Sequence, residues 1–113
     1  MKLDINQVKI FVTIPTKNLT EVREAICQTN AGVIGNYTHC TYSVNGVGTF
    51  KPNSSANPHI GSANKLEFVE EAKLEIICNV EDVKQLLVVL REVHPYEEPA
   101  IDIVPLISES NFN

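Results

Sequence analysis

A ferredoxin-like α+β fold, with two helices on one face of a four-stranded antiparallel sheet, is the architecture this sequence predicts. Three observations carry it. Residues 7–14 alternate, with an aliphatic side chain at every second position. Residues 81–93 carry an apolar stripe at helical spacing, and residues 65–79 read as extended chain before it. Together with the weaker elements they give the order strand, helix, strand, strand, helix, strand. At 113 residues the chain is expected to form one domain that buries a single core without metal or disulfide staples. Its structured part is expected to span about 7–106, followed by a polar tail, 107–113.

In the first strand Val8, Ile10, Val12 and Ile14 share one face and Lys9, Phe11 and Thr13 the other, and Pro15 closes the run. Asn18 followed by Glu21 has capping-box spacing and opens a helix predicted over 19–30. Leu19, Val22, Ala25, Ile26 and Thr29 lie on its inward side, with Gly32 as the C-terminal stop. Residues 36–44 form a second strand by β propensity. The stretch 45–64, punctuated by Gly46, Gly48, Pro52, Pro58 and Gly61, reads as a loop. Within 65–79, Leu74, Ile76 and Cys78 alternate with Lys73, Glu75 and Ile77, while Glu70-Glu71 mark a turn or bulge. Asn79 can cap the second helix, in which Val83, Leu86, Leu87, Leu90 and Val93 form the stripe. Ile101, Ile103 and Val104 make the last strand.

Composition narrows the function classes. The net charge of -5 and the scatter of nine basic residues give no cationic footprint for nucleic acid. No apolar run is long enough to span a bilayer. Cys27, Cys40 and Cys78 are odd in number and lie in no CxxC spacing. With no signal-peptide pattern at the start, they fit free thiols in a reducing cytoplasm.

The densest chemistry is His94-Pro95-Tyr96-Glu97-Glu98-Pro99-Ala100, followed by Asp102, at the junction of the second helix and the last strand. An imidazole with carboxylates can bind a divalent metal or a small ligand. The same residues can equally cap a helix: a histidine in the last turn suits the helix dipole and Pro95 stops the helix. If the segment is extended, Glu97 and Glu98 point to opposite sides and only one joins His94. His39 and His59 are the other imidazoles, and no HxH, HxxxH or CxxC spacing exists. A metal site would therefore draw His39, His59 and His94 together from distant segments or across subunits. Gly46-x-Gly48-x-Phe50-x-Pro52 lacks phosphate-loop spacing and reads as a positive-φ hairpin tip anchored by Phe50. Cys40 beside His39 cannot act as a nucleophile–base pair, because neighbours along a strand face apart. Glu70, Glu71 and Glu75 could supply a general base, but acidic residues on a solvated sheet face are commoner. The balance is against an enzyme.

Five motifs occur in order: Gly32-Val33-Ile34-Gly35-Asn36-Tyr37 with Cys40; the Gly46–Pro52 motif; Ala56-Asn57-Pro58-x-Ile60-Gly61; Glu67, Glu70 and Leu74-Glu75; and the His94–Asp102 segment. Together they span about residues 8–106. They closely resemble the inserted domain of YqfO-type proteins in the NGG-interacting-factor-three family, an insert related in fold to CutA and the PII signalling proteins. The resemblance implies a CutA/PII-like trimer joined through sheet edges and loops. It also implies that the paired metal site of the full-length proteins lies in lobes flanking the insert, lobes this sequence does not contain. No residue here inherits that site, and a stand-alone module is expected.

The reading that follows is a cytoplasmic, homotrimeric binding or regulatory module, partnered by a small-molecule ligand or another protein. Its expected ligand or interface residues are His94, Tyr96, Glu97, Glu98 and Asp102, with Gly46, Gly48, Phe50, Asn57 and Pro58 from the loop. The alternatives are a divalent-metal-binding protein using His39, His59 and His94, with a divalent metal ion as cofactor, and a metal-dependent hydrolase related to the full-length family.

Overall fold

Alternation of apolar and polar residues makes Gln7–Pro15 the strand β1, with Val8, Ile10, Val12 and Ile14 buried in turn. The computed structural model describes residues 3–112. Helix α1 (Leu19–Cys27) follows, then β2 (Thr41–Phe50), β3 (Glu67–Asn79), α2 (Val83–Val93) and β4 (Ile101–Leu106). The sheet order is β2-β3-β1-β4, and every neighbouring pair is antiparallel. This is the ferredoxin-like arrangement the sequence predicts.

The core lies between one sheet face and the two helices. Ile10, Val12 and Ile14 of β1 meet Leu74 and Ile76 of β3, and Val22 and Ile26 of α1 and Leu86 and Leu90 of α2 close over them. Leu86 and Leu90 are fully buried, as the helical stripe requires. Cys27 and Cys78 are buried free thiols and Cys40 is a half-buried one. Burial, with Asp82 and Glu81 nearby, pushes the Cys78 thiol up to about 11.

Several local expectations are corrected. Asn18 does not form a capping box: it sits in helical geometry at the end of a 3₁₀ turn, Thr16–Asn18, and its side chain caps nothing. Asn79 makes no cap either; its carboxamide oxygen accepts from Gln7 Nε2 at 2.9 Å, and a second 3₁₀ turn, Val80–Asp82, leads into α2. Helix α1 ends at Cys27, three residues before the predicted limit, where Thr29 donates its hydroxyl to the Ile26 carbonyl at 2.6 Å. Gly32, at φ +73, instead joins the chain to β3 by donating its N–H to the Ile77 carbonyl at 2.8 Å.

The largest difference is at the second strand. Residues 36–40 are not extended; Ile34 and Tyr37 bond each other across a tight turn containing Gly35 at φ +59. Strand β2 starts at Thr41 and runs through Gly46 and Gly48 to Phe50, so these glycines are not at a hairpin tip and neither has positive φ. Glycine inside a strand weakens the local strand signal, which is why the sequence reads as loop there. Glu70 and Glu71 pair in regular register with Val47 and Gly46, with no turn or bulge.

Because β1 stops at Pro15 opposite Glu71, the last rungs of the β2–β3 hairpin, from Val47 to Phe50 and Glu67 to Glu70, extend past the rest of the sheet. The helix packing has a direct consequence: Leu86→Ala and Leu90→Ala should each lower stability by about 2–5 kcal/mol in chemical denaturation. Unchanged midpoints would contradict the burial of this stripe.

Candidate functional site

Pro95 begins the site by ending α2. A residue before proline is pushed out of helical geometry, and His94 is extended at φ -71, ψ 132 while its N–H still donates to the Leu90 carbonyl at 2.9 Å. The turn of the chain drives the His94 ring inward, where the residue is 6% exposed. Nε2 lies 2.8 Å from the Thr13 carbonyl, to which it must donate; Nδ1 accepts the Tyr96 N–H at 3.1 Å. Both nitrogens are thereby occupied in one neutral tautomer. Burial lowers the His94 pKa below its ordinary 6.5, against smaller raising effects from the Thr13 hydrogen bond and the Glu71 charge. His94 is thus a structural bracket, with no lone pair left over for a metal.

The bracket positions Tyr96. Its ring packs at 5.1 Å from the His94 ring and 5.9 Å from Phe50. Its hydroxyl donates to Glu71 Oε2 at 2.7 Å. Burial and the neighbouring Glu71 carboxylate raise the Tyr96 pKa, so the phenol stays protonated. Glu71 is itself 8% exposed, on the sheet face turned away from the helices. Gly48 makes room for it: a Cβ there would overlap the Glu71 carboxylate, lying 2.6 Å from Cδ. The glycine's role is therefore clearance for a carboxylate.

Residues 51–66 fold back towards this group. Asn57 donates its N–H to the Glu97 carboxylate at 3.1 Å, and Asn64 donates to the Pro52 carbonyl at 2.6 Å. Between the loop and the His94–Ala100 segment is a cleft of about 520 Å³, walled by Phe50, Pro52, Pro58, Tyr96 and Ala100, with Glu71 and Thr13 among its lining residues. That volume lies within the usual range of small-molecule sites. Glu97 and Glu98 both line it, contrary to the expectation that they diverge. The cause is that residues 95–98 form bends instead of extended chain.

The structure gathers Tyr96, Glu97, Glu98, Phe50, Asn57 and Pro58 around one cleft, with His94 bracing it and Gly48 beneath Glu71. Asp102 is not part of it; it pairs with Phe11 on the exposed sheet face, and Gly46 lies opposite Glu71 with open space beside it. His39, His59 and His94 are not brought together within one chain. His39 sits 3.6 Å from Glu24 on α1, His59 is on the cleft wall, and His94 is spent on Thr13. Among the described residues no group of three His, Cys, Asp or Glu side chains is placed to hold a metal ion. Glu71 is the site residue whose importance sequence reasoning missed. Its face follows from alternation with Ala72 and Leu74, but its neighbours Gly48 and Tyr96 depend on strand register.

Two substitutions test this geometry. Gly48→Ala should force Glu71 off Tyr96 and lower stability by about 1–3 kcal/mol; an unchanged denaturation midpoint would contradict the contact. For His94, the folded state resists a proton that the unfolded chain accepts below about pH 6.5. Its contribution is therefore complete above that pH and is lost as pH falls towards the lowered folded value. His94→Gln should reduce stability by about 1–3 kcal/mol near neutrality. It should also flatten the decline in stability between about pH 7 and about pH 5. An equally steep decline would assign the pH sensitivity elsewhere.

No protein-family model matches the chain. A protein of Halalkalibacterium halodurans named GTP cyclohydrolase 1 type 2 homolog is 45% identical over 101 residues, which is 89% of this chain and 27% of that protein. Its namesake from Bacillus subtilis is 40% identical over 98 residues, covering 87% of this chain and 26% of that protein. This chain thus spans about a quarter of the length of the relatives it matches. A solved structure of a Bacillus cereus protein related to NIF3 superposes with TM-score 0.78 at 37% identity, over 90% of this chain and 26% of that one. CutA1 from Shewanella sp. SIB1 superposes with TM-score 0.70 at 18% identity, over 93% of this chain and 85% of that one, and shows the same fold. Over most of its length the chain corresponds to one domain, CutA-like in fold, of the NGG-interacting-factor-three (YqfO-type) proteins.

Proposed function

We propose that this chain is a binding or regulatory module that works as a homotrimer in the cytoplasm, with the cleft between residues 51–66 and the His94–Ala100 segment as its ligand surface. The observation that carries the reading is the cleft itself. Two segments distant in sequence converge on it, tied by the Asn57–Glu97 hydrogen bond, around a buried carboxylate and two aromatic rings. Two of its carboxylates are held in place, Glu71 by the Tyr96 hydroxyl and Glu97 by the Asn57 N–H, and positioned polar groups of this kind orient a ligand. The described residues contain no helix long and apolar enough to cross a membrane.

Self-association has separate support. The sheet face away from the helices carries Tyr42 at 64%, Val44 at 54% and Val104 at 44% exposure, with Phe11 and Ile77 half-buried between them. These apolar side chains alternate with Lys9, Lys73, Glu75 and Asp102 on the same face, a mixed surface that a second copy of the chain could cover. The outer strands β2 and β4 offer edges for pairing, and unpaired edges invite aggregation unless they are covered.

The divalent-metal alternative rests on His39, His59 and His94, and a structural neighbour 12% identical to this chain is the divalent ion tolerance protein CutA1 from Ehrlichia chaffeensis. The hydrolase alternative draws on the cyclohydrolase-homolog name of relatives that this chain only partly spans. Neither has a donor or catalytic set among the described residues to match the cleft's organisation.

Light scattering tests the assembly. The expected mass is that of three chains across micromolar concentrations, and Val44→Lys should shift it towards one chain by placing a second positive charge beside Lys73 on the open sheet face. A stable monomer of the unmodified protein over that range would overturn the reading.

A further inference from the structure

Glu71 is a buried carboxylate without a cationic partner. Among the described residues no Lys, Arg or His lies within ion-pair distance of it, the ion pairs present being Lys9–Glu75, Arg23–Glu24 and His39–Glu24. Oε2 accepts from Tyr96; Oε1 lies over Gly48, takes no other hydrogen bond from the described residues, and belongs to a side chain lining the cleft. At 8% exposure the residue is largely covered, and the Tyr96 hydroxyl is its one hydrogen-bond donor among the described residues. Sequence and fold hold it there, with a glycine cleared for it and a tyrosine braced against it.

The cleft around Glu71 has the makings of a counter-ion site. Phe50 and Tyr96 pack at 5.9 Å with their planes tilted by 58°, and aromatic faces attract cations, most strongly when water is excluded. Pro52, Pro58 and Ala100 complete an apolar wall. Glu97 and Glu98 add negative charge at the rim, against Lys51 and His59, both exposed. Glu97 is already engaged by the Asn57 N–H. Glu71 Oε1 is therefore the carboxylate oxygen that is free of partners among the described residues and open to the cleft. A metal ion does not fit as well, since no three donor side chains converge among the described residues.

We propose that this cleft recognises a small organic cation, a primary ammonium group on a flat apolar body. The ammonium would be held by Glu71 against the Phe50 and Tyr96 rings, and the body would lie along Pro52 and Pro58. The assignment rests on the reading of the cleft as a ligand surface and adds the chemical class of the ligand.

The test compares three probes of similar shape on the whole chain: 2-phenylethylammonium, 2-phenylethanol and 3-phenylpropionate. Backbone amide shifts of Gly48, Thr49, Asn57 and Tyr96 serve as the readout. The ammonium probe should bind saturably with Kd below about 1 mM and at least about tenfold more tightly than the alcohol. Glu71→Gln keeps the shape and an acceptor for the Tyr96 hydroxyl and should abolish that preference. Phe50→Leu keeps an apolar wall and should weaken the ammonium probe more than the alcohol, which provides a second variant should Glu71→Gln fold poorly. Equal binding of ammonium and alcohol, or an ammonium preference that survives Glu71→Gln, would overturn the assignment. Cleft shifts produced only by the alcohol or the carboxylate would overturn the cation assignment while leaving the cleft a ligand surface. No shift with any probe would overturn both.

Discussion

Through its ring and its backbone, His94 ties together three parts of the molecule. Its Nε2–H meets the carbonyl of Thr13 on β1, its Nδ1 meets the N–H of Tyr96, and its backbone ends α2 on the Leu90 carbonyl. Remove the ring, and nothing else among these bonds fixes where the chain goes after the helix. Tyr96 reaches Glu71 only because that path is fixed, and Phe50 packs on Tyr96 only because Tyr96 is there. The cleft therefore depends on a buried neutral histidine. Its neutrality follows from the geometry: an imidazolium would present a proton from Nδ1 to the Tyr96 N–H, donor against donor.

What was legible in the sequence was what depends on local periodicity. The alternation of Val8, Ile10, Val12 and Ile14, and the stripe of Leu86 and Leu90, each describe a face whose burial needs no knowledge of the partner. With the order of elements they suffice for the ferredoxin-like sheet. The second strand was misread because its evidence is non-local. Gly46 and Gly48 carry turn chemistry in isolation, and only the register that sets Gly48 next to Glu71 turns the missing side chain into a requirement. The concentration of chemistry in His94–Asp102 was visible, but its division of labour was not. His94 braces, Tyr96 bridges, Glu97 fastens the loop, and Asp102 lies on the open sheet face outside the cleft lining. Those roles depend on the bends at residues 95–98, which sequence alternation does not describe.

Shape points the same way as surface chemistry. The Cα radius of gyration is 15.9 Å, where a compact chain of this length has about 13 Å. The long axis of 52 Å against 30 and 23 Å fits the extension of the β2–β3 hairpin past β1. A two-stranded ribbon standing clear of a core is marginal by itself in water. Here Phe68 and Val47 near its end remain 67% exposed. A ribbon of that kind gains most when another surface covers its exposed apolar side chains.

The core and the cleft also differ in how they use polarity. Behind the sheet, buried residues are almost all aliphatic, and packing alone accounts for them. In front of it, the buried polar side chains Glu71 and His94 sit within one hydrogen-bonded chain from Thr13 through His94 and Tyr96 to Glu71. Such a network is worth its desolvation only when its members are satisfied. His94 meets that condition with both ring nitrogens bonded. Glu71 meets it through Oε2, and its other oxygen is open to the cleft. A fold selected for stability alone would replace Glu71 and Tyr96 by an apolar pair of similar volume, a change that is often neutral or stabilising for buried charge. The arrangement makes physical sense as a scaffold that ends in an acceptor, with the cleft built around that acceptor.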